Sequence, residues 1–294
     1  MAPLHDPVLV PETVALLDPA RGGLFVDCTV GLGGHSRALL EAGASRILGL
    51  DRDPDALSAA AIELAAFTDR LELVHADYRE IDRVLDERGI AHVAGALADL
   101  GVSSLQLSAV GRGFSFQRDE PLDMRMDRTS GRTAASLLED VDEEALANLI
   151  FEHGEERYSR RIARAIVHAR RTAPVVTTGQ LAQIVRRAIP TRGRQRIDPA
   201  TRTFQALRIW VNRELEGLDQ FLAGAACRLL AGARFAVIAF HSLEDRIVKH
   251  TFRALAQAGA IRILTKRPIE AGPDEVARNP RARSAKLRAI ERLA

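Results

Sequence analysis

A chain of 294 residues, 47% hydrophobic and 27% charged, has the composition of an ordinary globular protein of about two domains, which excludes collagenous, low-complexity and disulfide-stapled chains. Two cysteines, Cys28 and Cys227, make no disulfide framework, the N-terminus lacks a basic and an apolar leader region, and no stretch approaches 18 uncharged apolar residues. The expected setting is therefore the reducing cytoplasm, with no membrane. The net charge of +2 averages an acidic front and a basic back: residues 1–100 carry 8 Lys/Arg against 17 Asp/Glu, residues 151–210 carry 13 against 4, and residues 261–294 carry 9 against 4. That division suggests an anionic partner, and on charge alone a solvated arginine-rich helix face explains it equally well. Only Lys249, Lys266 and Lys286 are lysines, which reads as a compositional bias towards arginine.

The first hundred residues alternate between short apolar runs and single helices. A β-type run over 24–29 ends in Gly31, Gly33 and Gly34, and helical spacing follows over 36–42. Further runs over 46–51, 71–77 and 93–100 are separated by helices near 54–66 and 81–88. Strands joined by single helices imply βαβ units, because parallel strands need a crossover. The expected fold is a doubly wound, mostly parallel α/β sheet.

The pattern breaks after Ser104. Residues 105–132 are rich in Gly, Arg, Asp and Ser without a period, a long loop of the kind that is more often functional than idle. Helices follow: one started by Asp142 and ended by Gly154, one over 155–171 with Tyr158, Ile162 and Ile166 on one face, one capped by Thr178, and one opened by Pro199 that carries Phe204, Leu207, Val211 and Leu215. A strand-like run returns at 234–240. The economical account is one α/β domain, residues 1–104 and 211–294, interrupted by an all-helical insertion over 105–210.

Strand, glycines and helix in that order place backbone N–H groups at the carboxyl end of a strand, where open α/β sheets bind nucleotide-like ligands. Asp51, 18 residues after Gly33, can accept hydrogen bonds from both ribose hydroxyls of an adenosine, Asp77 and Tyr78 can flank its base, and Asp99 faces the same crevice. A dinucleotide fingerprint starting at Gly31 needs Gly or Ala at position 36, where Ser36 stands. Asp27 would repel a pyrophosphate and suits the cationic amino-acid part of S-adenosylmethionine. The plainer account is that the glycines only turn the chain.

These residues resemble the bacterial 16S ribosomal RNA cytosine-N4 methyltransferase family (RsmH/MraW), nearly end to end. The matching segments include HDPVL at 5–9, DCTVGLGGHS at 27–36, DRDP at 51–54, ADLGVSSLQL at 98–107, RGFSF at 112–116, PLDMRMD at 121–127, GEER at 154–157, PATRTFQALR at 199–208 and FHSLEDR at 240–246. The resemblance implies a class I, Rossmann-like methyltransferase with an S-adenosylmethionine site at Gly33, Gly34, His35, Asp51, Tyr78, Asp99 and Gln106. Tyr78 stands where the family pattern leads one to expect phenylalanine. It also implies, as substrate, the N4 amine of a cytosine in the decoding region of 16S rRNA, within the small ribosomal subunit, and it admits a homodimer.

An exocyclic amine is a poor nucleophile, so a site must hold it in line with the methyl group and accept a proton from it. The motif that many amino methyltransferases carry after the fourth strand is replaced by Asp99-Leu100-Gly101-Val102. Asp99, or the carbonyl of Leu100, is the candidate catalytic group, against the alternative of an Asx-type loop cap. Phe114 and Phe116, with Arg112 and Arg118, can stack a flipped cytosine and hold its phosphates, or anchor the loop. His241 and Ser242 can bind the target nucleotide, or belong to a structural network. His75 and His92 read as ordinary histidines. No metal set emerges, and neither cysteine suits a covalent mechanism. Arg157, Arg160, Arg161, Arg164, Arg170, Arg171, Arg186, Arg187, Arg192, Arg194 and Arg196 can line phosphates, or pair with Glu152, Glu155 and Glu156. Two other functions share parts of this pattern. Ser36 and the missing second half oppose an NAD-dependent oxidoreductase, and the intact Gly33, Gly34, Asp51 and Asp99 oppose a non-catalytic RNA-binding factor.

Overall fold

The computed structural model describes residues 7–190 and 197–294, so His5, Asp6, Arg192, Arg194 and Arg196 lie outside the described residues. The chain divides into two compact units: one runs up to Ser104 and resumes over Leu215–Ala294, and the other is Leu105–Glu214. Residues 211–214 thus belong to the second unit rather than the first. No helix among the described residues is long and apolar enough to cross a membrane.

In the first unit α1 (Val10–Leu17), β1 (Leu24–Asp27), α2 (Gly34–Glu41), β2 (Arg46–Asp51), α3 (Pro54–Glu63), β3 (Leu71–His75), α4 (Ile81–Asp86) and β4 (Val93–Asp99) follow the expected alternation. Each strand ends where its apolar run meets Asp or a glycine turn. Asp53 starts α3 by accepting from the Asp55 amide, with Pro54 preset at the first helical position. The short helix α5 (Ser104–Ser108) crosses into the second unit.

The second unit holds α6 (Ala134–Asp140), α7 (Glu143–Gly154), α8 (Ser159–Arg170), α9 (Thr178–Ala188) and α10 (Ala200–Asn212) around Leu138, Leu146, Ile150, Ile162, Ile166, Leu181, Val185 and Phe204. Asp142 caps α7 as expected. Three boundaries differ. Gly154 does not stop α7 by turning left-handed; Glu155 does, at φ 49°. Gly154 is instead the point of closest approach, where a Cβ would lie 2.7 Å from the carbonyl oxygen of Arg202 on α10. Thr177, not Thr178, caps α9, in a reciprocal box with Gln180. Arg213, left-handed at φ 52°, ends α10, so Leu215 lies beyond it.

The first unit then resumes with α11 (Leu218–Cys227), β5 (Leu229–Ala239), α12 (Ser242–Gln257), β6 (Ile261–Ile263), α13 (Pro273–Arg278) and β7 (Lys286–Arg292). The sheet runs β3-β2-β1-β4-β5-β7-β6. Pairings among β1–β5 are parallel, while β7 is antiparallel to β5 and β6. This is the expected doubly wound, mostly parallel α/β fold. The period of two sorts the strands onto two cores. Val26, Leu48, Ala96 and Val237 meet α4, α11 and α12, while Phe25, Ile47, Leu97 and Ile238 meet α1 and α2.

The irregular stretch after α5 is pinned from within its own unit. Asn212 on α10 accepts from the Met126 amide at 2.8 Å and donates to the carbonyls of Met124 at 2.8 Å and Arg208 at 2.9 Å. Asn212→Ala strands a buried amide and carbonyl, so it should destabilise the helical unit by about 2–4 kcal/mol. The measurement is the urea transition followed by the fluorescence of Trp210, the chain's one tryptophan.

Candidate active site

Three neighbouring parallel strands, β2, β1 and β4, end in Asp51, Asp27 and Asp99. The strand order reverses between β1 and β4, the position at which open sheets bind ligands. The turn after β1 reaches α2 through Gly33, left-handed at φ 84°, where a side chain would lie 2.7 Å from Leu64. Gly34 is the first residue of α2. The glycines therefore do turn the chain, and the turn aims an amide back at the sheet: Gly31 N–H donates to Asp51 Oδ2 at 2.8 Å. Asp51 Oδ1 accepts from the Asp53 amide at 2.8 Å. A carboxylate offers about four acceptor positions, which leaves two for a ligand. Burial pushes the Asp51 pKa up to about 6, against the pull of these amides and with the push of Asp53 and Asp27.

Asp27 is buried, accepting from Ser36 Oγ at 2.7 Å and from the Thr29 amide at 3.1 Å. Burial raises its pKa to about 6 despite those two donors. Each oxygen thus accepts one internal hydrogen bond, which leaves Asp27, like Asp51, two further acceptor positions, on a residue only 1% exposed. Ser36, the residue that breaks the dinucleotide pattern, is its hydroxyl donor. Burial first, then the Asp27 charge, hold the Cys28 thiol well above its ordinary range, which disfavours a thiolate there. Cys227 is exposed at the end of α11, not packed within it.

Asp99 differs from both. Its amide donates to Thr29 Oγ1 at 2.6 Å, but among the described residues its carboxyl receives no backbone N–H; Oδ2 lies 3.6 Å from His35 Nδ1, and the buried Oδ1 has no hydrogen-bond partner among them. A loop-capping carboxylate would hold an amide, so the Asx-cap alternative does not describe it. Burial, and after it the carboxylates of Asp27 and Glu244, raise its pKa well above the carboxylate range. His35 is fixed from behind: Nε2 lies 2.9 Å from the Val8 carbonyl, which can only accept, so Nε2 carries a hydrogen and Nδ1 faces Asp99.

Tyr78 follows β3 in a 3₁₀ turn capped by Asp77, its half-buried ring 4.6 Å from that of Phe221. Burial would raise the Asp77 pKa, but Arg79, at 2.7 Å, and Arg52, at 3.5 Å, hold it low, so that carboxylate is already spoken for. At the end of β5, His241 caps α12: Nδ1 accepts from the Glu244 amide at 3.4 Å, and Nε2 lies 3.2 Å from Glu244 Oε1. Glu244 is buried and accepts from the Phe240 amide at 2.9 Å. His241 thus lies against Glu244, its buried Nε2 without a hydrogen-bond partner among the described residues, and Ser242 beside them is exposed.

In the second unit Gln106 is buried on α5. Arg112 is also buried; Nη2 donates to the Met126 carbonyl at 2.9 Å, and the guanidinium lies 5.9 Å from the Phe114 ring. Phe116 meets Phe204 edge-on at 4.8 Å. Arg112 and Phe116 therefore anchor the loop, the alternative to nucleotide contact. The helical arginines pair beyond their own helix: Arg164 with Glu143 on α7 at 3.3 Å, Arg202 with Glu156 between α7 and α8 at 3.9 Å, and Arg186 with Asp198 ahead of α10 at 2.8 Å. Arg170 donates to the Leu138 carbonyl at 2.6 Å. Arg160, Arg161, Arg171 and Arg187 are exposed, with no ion pair among the described residues.

The folded pKa of Asp27 exceeds its unfolded value, so its charge penalises folding in full above about pH 6, and the penalty fades as pH falls towards 4. Asp27→Asn removes the charge, keeps the Thr29 amide on Oδ1 and lets Nδ2 donate to Ser36 Oγ, reversing that bond. It should raise stability at pH 7.5 by about 2–3 kcal/mol and lose that advantage by about pH 4, read as denaturant midpoints across pH.

The model of the MraW methylase family matches residues 2–293. Ribosomal RNA small subunit methyltransferase H of Sorangium cellulosum strain So ce56 is 50% identical over 289 residues, covering 98% of this chain and 91% of the relative. Proteins of that name from Anaeromyxobacter dehalogenans strain 2CP-1 and Syntrophotalea carbinolica are 50% and 48% identical, each over 98% of both chains. The chain belongs to the MraW methylase family.

Proposed function

We propose that this chain transfers a methyl group from S-adenosylmethionine to the N4 amine of a cytosine in the decoding region of 16S rRNA, within the small ribosomal subunit, in the cytoplasm. The observation that carries the reading is the buried oxygen of Asp99, without a partner among the described residues, at the switch point of the sheet. Full-length relatives named as small-subunit rRNA methyltransferases support the substrate class.

The residues fit the donor. Asp51 retains two acceptor positions for ribose hydroxyls and Tyr78 offers a ring beside the base, while Gly33 and Gly34 join the set by family likeness. Gln106 completes the set by family likeness. The donor supplies an electrophilic methyl carbon. Asp99 and the neighbouring Leu100 carbonyl orient the attacking amine, and Asp99 accepts the proton that the nitrogen sheds. A raised pKa makes Asp99 a stronger base, and a cationic ligand brought beside it draws the carboxyl back towards its charged form. Ser242 is the candidate contact to the target nucleotide on the first unit, with the His241 cap fixing the turn that carries it. The exposed arginines of α8 and α9 hold phosphate without reading sequence.

Labelled methyl transfer to small subunits lacking the modification, with the product nucleoside identified by mass, tests the whole reading. N4-methylcytidine supports it; a C5 or ribose product overturns it. Asp99→Asn should lower kcat by about 10²–10⁴-fold; full methylation with unchanged donor affinity removes Asp99 from the mechanism. Because Asp51 takes up a proton near pH 6, donor affinity measured by calorimetry should fall as pH drops from 7 to 5. A thermal shift with NAD but not with S-adenosylmethionine would favour an oxidoreductase.

A further inference from the structure

All three lysines of the chain lie at one corner of the first unit: Lys249 on α12, Lys266 just after β6 and Lys286 at the start of β7. Lys249 and Lys266 line a cavity of about 300 Å³ with Arg253 and Arg288, over an apolar floor that includes Phe252 and Ile263. That size is at the lower end for small-ligand sites. The nearby acids are already engaged. Asp245 lies 2.7 Å from Arg288 and 3.6 Å from Lys286, and Glu291 is held by Arg234 and Arg262. Among the described residues no ion pair engages Lys249, Arg253 or Lys266. Three uncompensated cations around one concavity repel each other, and an anion would relieve that repulsion.

The charge continues out of the cavity. Arg246, Lys249, His250 and Arg253 recur at three- and four-residue spacing and so share one side of α12, where all but the half-buried Lys249 are exposed. A closed cage would suit one small anion, whereas a cavity opening onto a basic stripe suits consecutive phosphates. The corner is separate from the crevice described above, since Lys249 lies seven residues beyond Ser242, about 10 Å along the helix.

We infer that this corner binds the sugar–phosphate backbone of the RNA substrate, one phosphate seated between Lys249 and Lys266 and its neighbours running along α12. The inference rests on the rRNA methyltransferase reading, and it gives the basic excess of residues 261–294, 9 Lys/Arg against 4 Asp/Glu, a role beside the helical insertion. Such contacts position a substrate without reading its sequence.

The test is methyl transfer to small subunits lacking the modification, by wild type and by the Lys249→Gln/Lys266→Gln variant, across salt concentrations. The variant should raise KM for subunits roughly five- to tenfold and flatten the dependence of log kcat/KM on log salt by about 0.7, the contribution of the one phosphate held between the two lysines. Its kcat at saturating subunits and its donor affinity should match wild type, and Lys249→Arg/Lys266→Arg should restore KM. Wild-type transfer with an unchanged KM and salt slope in the Gln variant overturns this inference alone; no transfer by wild type overturns the methyltransferase reading and this inference with it. Acylation footprinting separates the anion sources. Subunits should protect Lys249 and Lys266, whereas protection by inorganic phosphate and not by subunits would overturn the assignment to RNA.

Discussion

Burying carboxylates beside one another is the constraint on which this structure turns. A parallel sheet brings the carboxyl ends of adjacent strands to one edge, and here β2, β1 and β4 all end in aspartate. Each charge resists leaving water, and each raises the pKa of its neighbours. Local donors answer two of the three: the glycine turn and Asp53 supply amides to Asp51, and Ser36 and Thr29 supply a hydroxyl and an amide to Asp27. Asp99 receives none among the described residues. The asymmetry leaves one strong, unsatisfied acceptor where the sheet reverses direction, and a ligand that brings positive charge and hydroxyl donors relieves what the free protein cannot.

The same electrostatics explains the division of charge along the chain. An acidic sheet edge favours a cationic ligand and opposes phosphate, so polyanion binding has to lie on other surfaces. The described arginines of the helical unit are of two kinds. Arg164 pairs with Glu143 across α7 and α8, an exposed pair of little energy, while Arg186 and Arg202 pair with Asp198 and the buried Glu156 in the connecting turns. Arg160, Arg161, Arg171 and Arg187 keep their charge for solvent or a partner. At the α12 corner the acids Asp245 and Glu291 are consumed by arginines and Lys286, and the charge left over is carried by two lysines and Arg253.

How much was legible in the sequence depended on how local the cause was. The strands β1, β2 and β4 were readable as apolar runs ending in Asp, and the half-buried β3, Leu71-Glu72-Leu73-Val74-His75, by its place in the alternation with helices. β7 was not, because Lys286-Leu287-Arg288-Ala289-Ile290-Glu291-Arg292 buries Leu287 and Ala289 between charges that pair with neighbouring elements. Thr177 and Thr178 offer the same side chain one residue apart, and only the reciprocal bond to Gln180 selects the first. The three strand-end aspartates were placed correctly because a strand's end and its position in the sheet follow from the alternation. Arg112 looked like a phosphate ligand, and its burial against the Met126 carbonyl depends on a fold-back of the loop that no short-range pattern encodes. Asn212 gave no signal, since the two partners that hold the loop, Met124 and Met126, lie more than eighty residues away.

The covalent route used by some cytosine methyltransferases requires a thiolate, and the electrostatics of this sheet edge oppose one. Cys28 sits beside Asp27 in the buried end of β1, where removing water and adding a neighbouring negative charge both favour the protonated thiol. The same two influences act on Asp99 with the opposite chemical result, because raising a carboxyl's pKa makes its ionised form a better proton acceptor. One local field therefore suppresses a nucleophile and strengthens a base. An exocyclic amine supplies its own nucleophile and needs only orientation and somewhere for its proton to go. The aspartate cluster thus matches amine methylation better than carbon methylation for a reason that precedes any comparison with relatives.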